Sequence, residues 1–63
     1  MSSLTLEVVS ASCSEILTKL SDTGVLILDV AFIDALTMRF RILRVDFSSV
    51  KEVLKKYVLP AKL

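Results

Sequence analysis

Val25-Leu26-Ile27-Leu28-Asp29-Val30-Ala31-Phe32 is the stretch on which the fold turns. It is too rich in β-branched residues, and too continuously apolar, for a helix lying on a surface. It predicts a strand with both faces largely apolar. The wider run from Val25 to Leu36 contains Asp29 and Asp34 and falls far short of the roughly 20 residues that a membrane helix needs.

Upstream of it, Asp22-Thr23-Gly24 ends a helix, and the only glycine of the chain stands where a left-handed residue is wanted. Cys13, Ile16, Leu17 and Leu20 make that helix's apolar stripe. Ser12 with Glu15 matches a capping box at its start, and Glu15 and Lys19 stand in the favourable order four apart. Before Ser10-Ala11, Leu4, Leu6 and Val8 alternate with Thr5, Glu7 and Val9, the period of a half-buried strand.

Downstream, Ile33-Asp34-Ala35 reads as a turn. Leu36, Met38, Phe40 and Ile42 then alternate with Thr37, Arg39 and Arg41 as the clearest strand. A second helix opens between Asp46 and Ser49, with Ser49 and Glu52 as another capping box. Its stripe is Val50, Val53, Leu54, Tyr57 and Val58, and Lys51, Lys55 and Lys56 face outward. Pro60 stops it, leaving Ala61-Lys62-Leu63 as at most the stub of a fourth strand.

The expected fold class is therefore α+β, a ferredoxin-like β-α-β-β-α sandwich over residues 1–63 with its fourth strand short or missing. Two helices cover one face of an antiparallel sheet, and the third strand lies between the first and second. Leu4, Leu6, Val8, Leu26, Leu28, Val30, Leu36, Met38, Phe40 and Ile42 are expected beneath the helices. Thr5, Glu7, Val9, Val25, Ile27, Asp29, Thr37, Arg39 and Arg41 are expected on the open face, with Glu7, the two arginines and Asp29 in acid-base-acid columns.

Composition removes most chemistry. With no His and one Cys, His-based catalytic triads, His-ligated zinc, intrachain disulfides and multi-Cys metal sites are excluded within the 63 residues. We expect no catalytic residues, no enzyme activity, no cofactor and no metal. Arg39, Arg41 and Arg44 suggest an anion or nucleic-acid face, but none of Thr5, Glu7, Val9, Ile27, Thr37 or Arg39 on the open sheet face can stack a base as an aromatic does, and 8 basic against 7 acidic residues add no net attraction. The first 34 residues carry five acids and one Lys, the remainder seven bases and two acids, so folding brings opposite charges together. Cys13 stands in a first helical turn, where a helix dipole favours a thiolate, yet its spacing with Ile16, Leu17 and Leu20 makes it a core residue. The start Met1-Ser2-Ser3-Leu4-Thr5 lacks a basic region, so no signal peptide and a cytoplasmic location are expected.

What composition adds is a surplus. Eight Val, eleven Leu and four Ile exceed what one small core easily hides, and association resolves such an excess. The expected activity is that of a non-catalytic oligomerisation or protein-interaction module, with a homodimer partner or a neighbouring domain, no nucleic acid and no membrane insertion. Val9, Val25, Ile27, Asp29, Phe32, Arg39 and Arg41 are its expected interface.

Leu20-Ser21-Asp22-Thr23-Gly24-Val25-Leu26-Ile27-Leu28-Asp29-Val30 resembles the ACT-type regulatory domain, in which a helix ends, a Gly turns the chain and a "G-V-x-I" strand follows. The resemblance implies an amino-acid-type effector bound between protomers by the loop after strand one and the Gly region, here Ser10, Ser12, Cys13, Ser14 and Gly24. Only Gly24 matches that motif, because Ser10-Ala11-Ser12-Cys13-Ser14 stands where the family has an acidic-Pro-Gly loop. The element order is also similar to the soluble N-terminal module of YqfD-type sporulation membrane proteins, which implies a module of a larger protein.

Overall fold

A computed structural model describes residues 2–57. The chain forms strand β1 (Ser3–Val9), helix α1 (Cys13–Asp22), strand β2 (Ile27–Asp34), strand β3 (Thr37–Leu43), a 3-10 turn (Arg44–Asp46) and helix α2 (Phe47–Leu54). The fold is α+β: three antiparallel strands in the order β1-β3-β2, with two helices. Val58, Pro60 and the expected stub strand at 61–63 lie outside the described residues.

The alternation of β3 decides where the core sits. Met38, Phe40 and Ile42 are buried, whereas Arg39 and Arg41 between them are exposed. Val8 joins the buried set from β1, with Leu4 and Leu6 packed against it. Both helices lie against that same cluster, α1 through Cys13, Ile16 and Leu20 and α2 through Val50 and Val53. These spacings of three and four put the buried side chains on one side of each helix.

Helix α1 ends where Gly24 takes φ 88°, a conformation that costs other residues a clash with their own Cβ. The Gly24 amide then donates to the Ser21 carbonyl at 3.0 Å and the Val25 amide to the Leu20 carbonyl at 3.3 Å. That pair of bonds is a Schellman closure, and the accompanying contact is apolar, since Val25 and Leu20 both belong to the core.

Several local expectations change. Ser12 is the N-cap of α1, but its hydroxyl makes no cap bond; the Ser10 hydroxyl instead accepts from the Ser12 amide at 3.0 Å. No second capping box forms at Ser49, because α2 starts at Phe47 and Ser49 is already inside it. The hairpin turn is Ala35-Leu36 rather than Ile33-Asp34-Ala35, since Asp34 pairs with Thr37 and its Oδ1 accepts from the Leu36 amide at 2.9 Å.

The largest correction concerns β2. Ile27 pairs with Ile42 and Asp29 with Arg41, so Leu28 is an extra residue that shifts the alternation. Val25 and Ile27, expected on the open face, turn inward as a result: Val25 is buried and Ile27 packs against the core. A second irregularity falls at Ile33. Leu26, Leu28, Val30 and Leu36, expected beneath the helices, are all exposed: Leu26 stands between the inward Val25 and Ile27, Leu28 is the extra residue, Leu36 lies in the turn, and Val30 belongs to a strand that the helices do not cover.

Candidate functional site

β2 is the outer strand of the sheet, hydrogen-bonded on one side only among the described residues. Such an edge presents a row of free amides and carbonyls. Val30 and Phe32 pair with the buried Phe40 and Met38, which places them on the helix side of the sheet. They remain 38% and 54% exposed, and Leu26, Leu28, Ile33 and Leu36 are likewise exposed around them. Single exposed apolar residues such as Val9 and Val45 are ordinary, but these six fall within eleven consecutive positions. They make one contiguous strip of sequence along the strand and its turn.

The open face is polar and paired. An Arg39 nitrogen lies 3.5 Å from a Glu7 oxygen, and Arg41 stands 3.7 Å from Asp29. Both pairs join strand neighbours in register, Glu7 with Arg39 and Asp29 with Arg41. The acid-base-acid columns expected from the alternation therefore form. The guanidiniums meet carboxylates of their own chain, and Arg44 donates to the Ser2 hydroxyl at 3.3 Å. A shallow depression of about 210 Å³ lies over Thr5, Asp29, Ala31, Arg39 and Arg41, smaller than the roughly 300–1,000 Å³ of ligand pockets.

The effector-type residues are not brought together. Ser10, Ser12, Cys13 and Ser14 surround the start of α1, and Gly24 follows its end, with a ten-residue helix of roughly 15 Å between them. The Cys13 thiol is buried and donates to the Ser10 carbonyl at 3.2 Å and the Leu36 carbonyl at 3.6 Å. The Ser10 amide reaches the same Leu36 carbonyl at 2.7 Å. Cys13 and Ser10 thus tie the β1–α1 loop to the β2–β3 turn, which is a structural use of both.

On the helices, the Tyr57 hydroxyl donates to Glu15 at 3.0 Å and links the chain after α2 to α1. Partial burial, then this bond to a carboxylate, raises the Tyr57 pKa above the ordinary tyrosine value. Asp34 moves the other way. The Leu36 amide, followed by the Thr37 hydroxyl, holds its carboxyl below the usual range.

Of the expected interface residues, Val9, Asp29, Phe32, Arg39 and Arg41 are exposed, and Val25 and Ile27 are not. Leu26, Leu28, Val30, Ile33 and Leu36 escaped the sequence reading as surface residues. The signal was present in the apolar surplus, but no polar residue marks the phase between Val25 and Leu28. Among the described residues, no helix is long and apolar enough to cross a membrane, and no three Cys, Asp or Glu side chains gather to hold a metal. Comparison with family models, curated proteins and solved structures returns no match to this chain.

Proposed function

We propose that this chain is a non-catalytic association module of ferredoxin-like build that works through the exposed edge of β2. The observation that carries the reading is the position of six exposed apolar side chains, Leu26 to Leu36, on and beside an edge that is unpaired among the described residues. Water against that strip is unfavourable by roughly 25 cal/mol per Å², and a partner removes it. The order β1-β3-β2, with β1 and β2 both antiparallel to the strand between them, supports the ferredoxin-like part. An ACT-like sensor draws less support, because Ser10–Ser14 stand in place of the acidic-Pro-Gly loop and lie, within one copy, at the opposite end of α1 from Gly24.

The test pairs absolute mass by light scattering with binding of the fluorophore anilinonaphthalene sulfonate over a hundredfold dilution. An oligomer, or a monomer whose strip binds the fluorophore, agrees with an association surface. A monomer that stays dark at every concentration overturns it.

A further inference from the structure

Three features compete as sites beyond this reading: the depression over Arg39 and Arg41, the depression of about 290 Å³ between Lys19, Val53, Lys56 and Tyr57, and the edge of β2 itself. In the first, both cations already face carboxylates. The second is open and carries Asp22 beside Lys19 and Lys56, so its charges oppose one another. The edge supports more, because its register with β3 restricts what can lie along it.

We propose that the occupant of the β2 edge is a second copy of the same strand, running antiparallel, with Val30 of each copy opposite Val30 of the other. This rests on the association reading and names its partner. Between the irregularities at Leu28 and Ile33, β2 is regular from Asp29 to Phe32, and this short segment is what another strand can pair with. Directly opposed residues of antiparallel strands share a face, so a two-fold axis passes through a residue and not between two.

Four centres are then possible, and an axis through Asp29 sets that carboxylate directly against its own copy. An axis through Ala31 sets Asp29 of each copy against Asp34 of the other, since both stand two positions from Ala31 in the register with β3 and both lie on the open face. Four carboxylates in two facing pairs oppose that arrangement. An axis through Phe32 leaves Val30 without a partner in the regular segment and places Asp34 against Ala31.

An axis through Val30 avoids these faults. It pairs Asp29 with Ala31 on the open face, and on the helix side it sets Val30 against Val30 and Phe32 against Ile27. No acid faces an acid directly, the exposed Val30 side chains meet each other, and the exposed Phe32 of each copy meets the half-buried Ile27 of the other. The product is one six-stranded antiparallel sheet.

One further point favours a second copy of this chain. The strand Ile27–Asp34 contains neither Lys nor Pro, two of the devices by which edge strands repel their own kind, and its aspartates and two irregularities confine pairing to the short segment Asp29–Phe32. The six exposed apolar residues are far fewer than the roughly 20–30 residues a side of a standard interface. A dimer of that size forms reversibly, with a mass that falls on dilution.

The experiment is cysteine cross-linking under mild oxidation, with Val30→Cys compared against Thr5→Cys on β1 and against the unaltered chain with its buried Cys13. The variants are followed by far-ultraviolet circular dichroism to verify folding. Val30→Cys is expected to give a covalent dimer at least tenfold faster than Thr5→Cys, and Val30→Lys to keep its fold while losing the concentration-dependent mass. A dimer that cross-links through Thr5→Cys as fast as through Val30→Cys overturns the β2 pairing while leaving association intact. A fluorophore-binding monomer at all concentrations overturns self-pairing and points to a different protein on the same strip.

Discussion

β1 and β2 flank the same central strand and run the same way, yet their apolar side chains meet opposite fates. Those of β1 that face the helices, Leu4, Leu6 and Val8, are buried or packed against the core. Those of β2 that follow Ile27 stay in water. On the other face the two edges are alike, for each offers an acid to an arginine of β3, Glu7 to Arg39 and Asp29 to Arg41. The difference teaches that, among the described residues, two outer strands of one sheet need not expose the same kind of surface. What distinguishes β2 is that the helices stop short of it, so its apolar side chains add to its free backbone groups.

The sharpest way to break the comparison uses two phenylalanines. Phe40 on β3 is 1% exposed, whereas Phe32 on β2 is 54% exposed. Phe40→Ala is expected to cost about 3–5 kcal/mol, enough to unfold most molecules of so small a domain. Phe32→Ala, measured in dilute solution, is expected to cost about 1 kcal/mol or less, because much of its surface already meets water. Urea titrations of the two variants decide it, and equal losses would mean that β2 is covered after all.

Gly24 comes next, as the residue that turns the chain from the α1 layer into β2. A Cβ there meets no atom within 4 Å, so Gly24→Ala pays only for the left-handed backbone. About 1 kcal/mol is expected, by thermal or urea unfolding. A neutral or stabilising effect would show that the closure after α1 relaxes.

A smaller effect tests the likeness of the two edges. Arg39→Ala and Arg41→Ala are each expected to cost about 0.2–1 kcal/mol, with the loss shrinking at high salt, because both pairs are half exposed. A loss in one variant several times that in the other would mean the two edges differ on the open face as well.

The pH profile adds a test of its own, since one shifted group follows α2 and the other stands at the β2–β3 turn. Tyr57, raised in the folded state, contributes stability that is present below the ordinary tyrosine value of 10.0 and lost as pH rises through its folded value. Asp34, lowered, contributes stability that is present above 3.8 and lost as pH falls through its folded value. Tyr57→Phe is expected to flatten the alkaline limb, and Asp34→Asn the acid limb. Unfolding midpoints between pH 2 and pH 11 test both, and an unchanged limb removes the corresponding contact from the account.

Much of this was legible in the residues. The alternation through Met38, Phe40 and Ile42, the stripe of Cys13, Ile16 and Leu20 and the role of Gly24 all depend on neighbours a few positions away. The arginine pairs were legible too, because period-2 alternation assigns charges to a face. The capping boxes misled, since a serine and a glutamate at the right spacing do not ensure that the bonds form, and here Ser10 supplied the hydroxyl instead. The candidate site was half legible: composition signalled uncovered apolar surface, and Phe32 was expected in it, but Val25 and Ile27 were placed on the wrong side.

By itself the sequence determined the order of elements, the end of α1 and the central strand, because helical stripes, strand alternation and a positive φ are properties of short segments. Tertiary structure alone decided the phase of β2 and the reach of the helix layer. In Val25-Leu26-Ile27-Leu28 every residue is apolar, so either phase satisfies the local pattern. Pairing with Ile42 and Arg41, some fifteen residues or less along the chain, chooses between them by admitting an extra residue at Leu28. Whether an apolar side chain then lies under a helix or in water depends on where two short helices settle, which no single segment encodes.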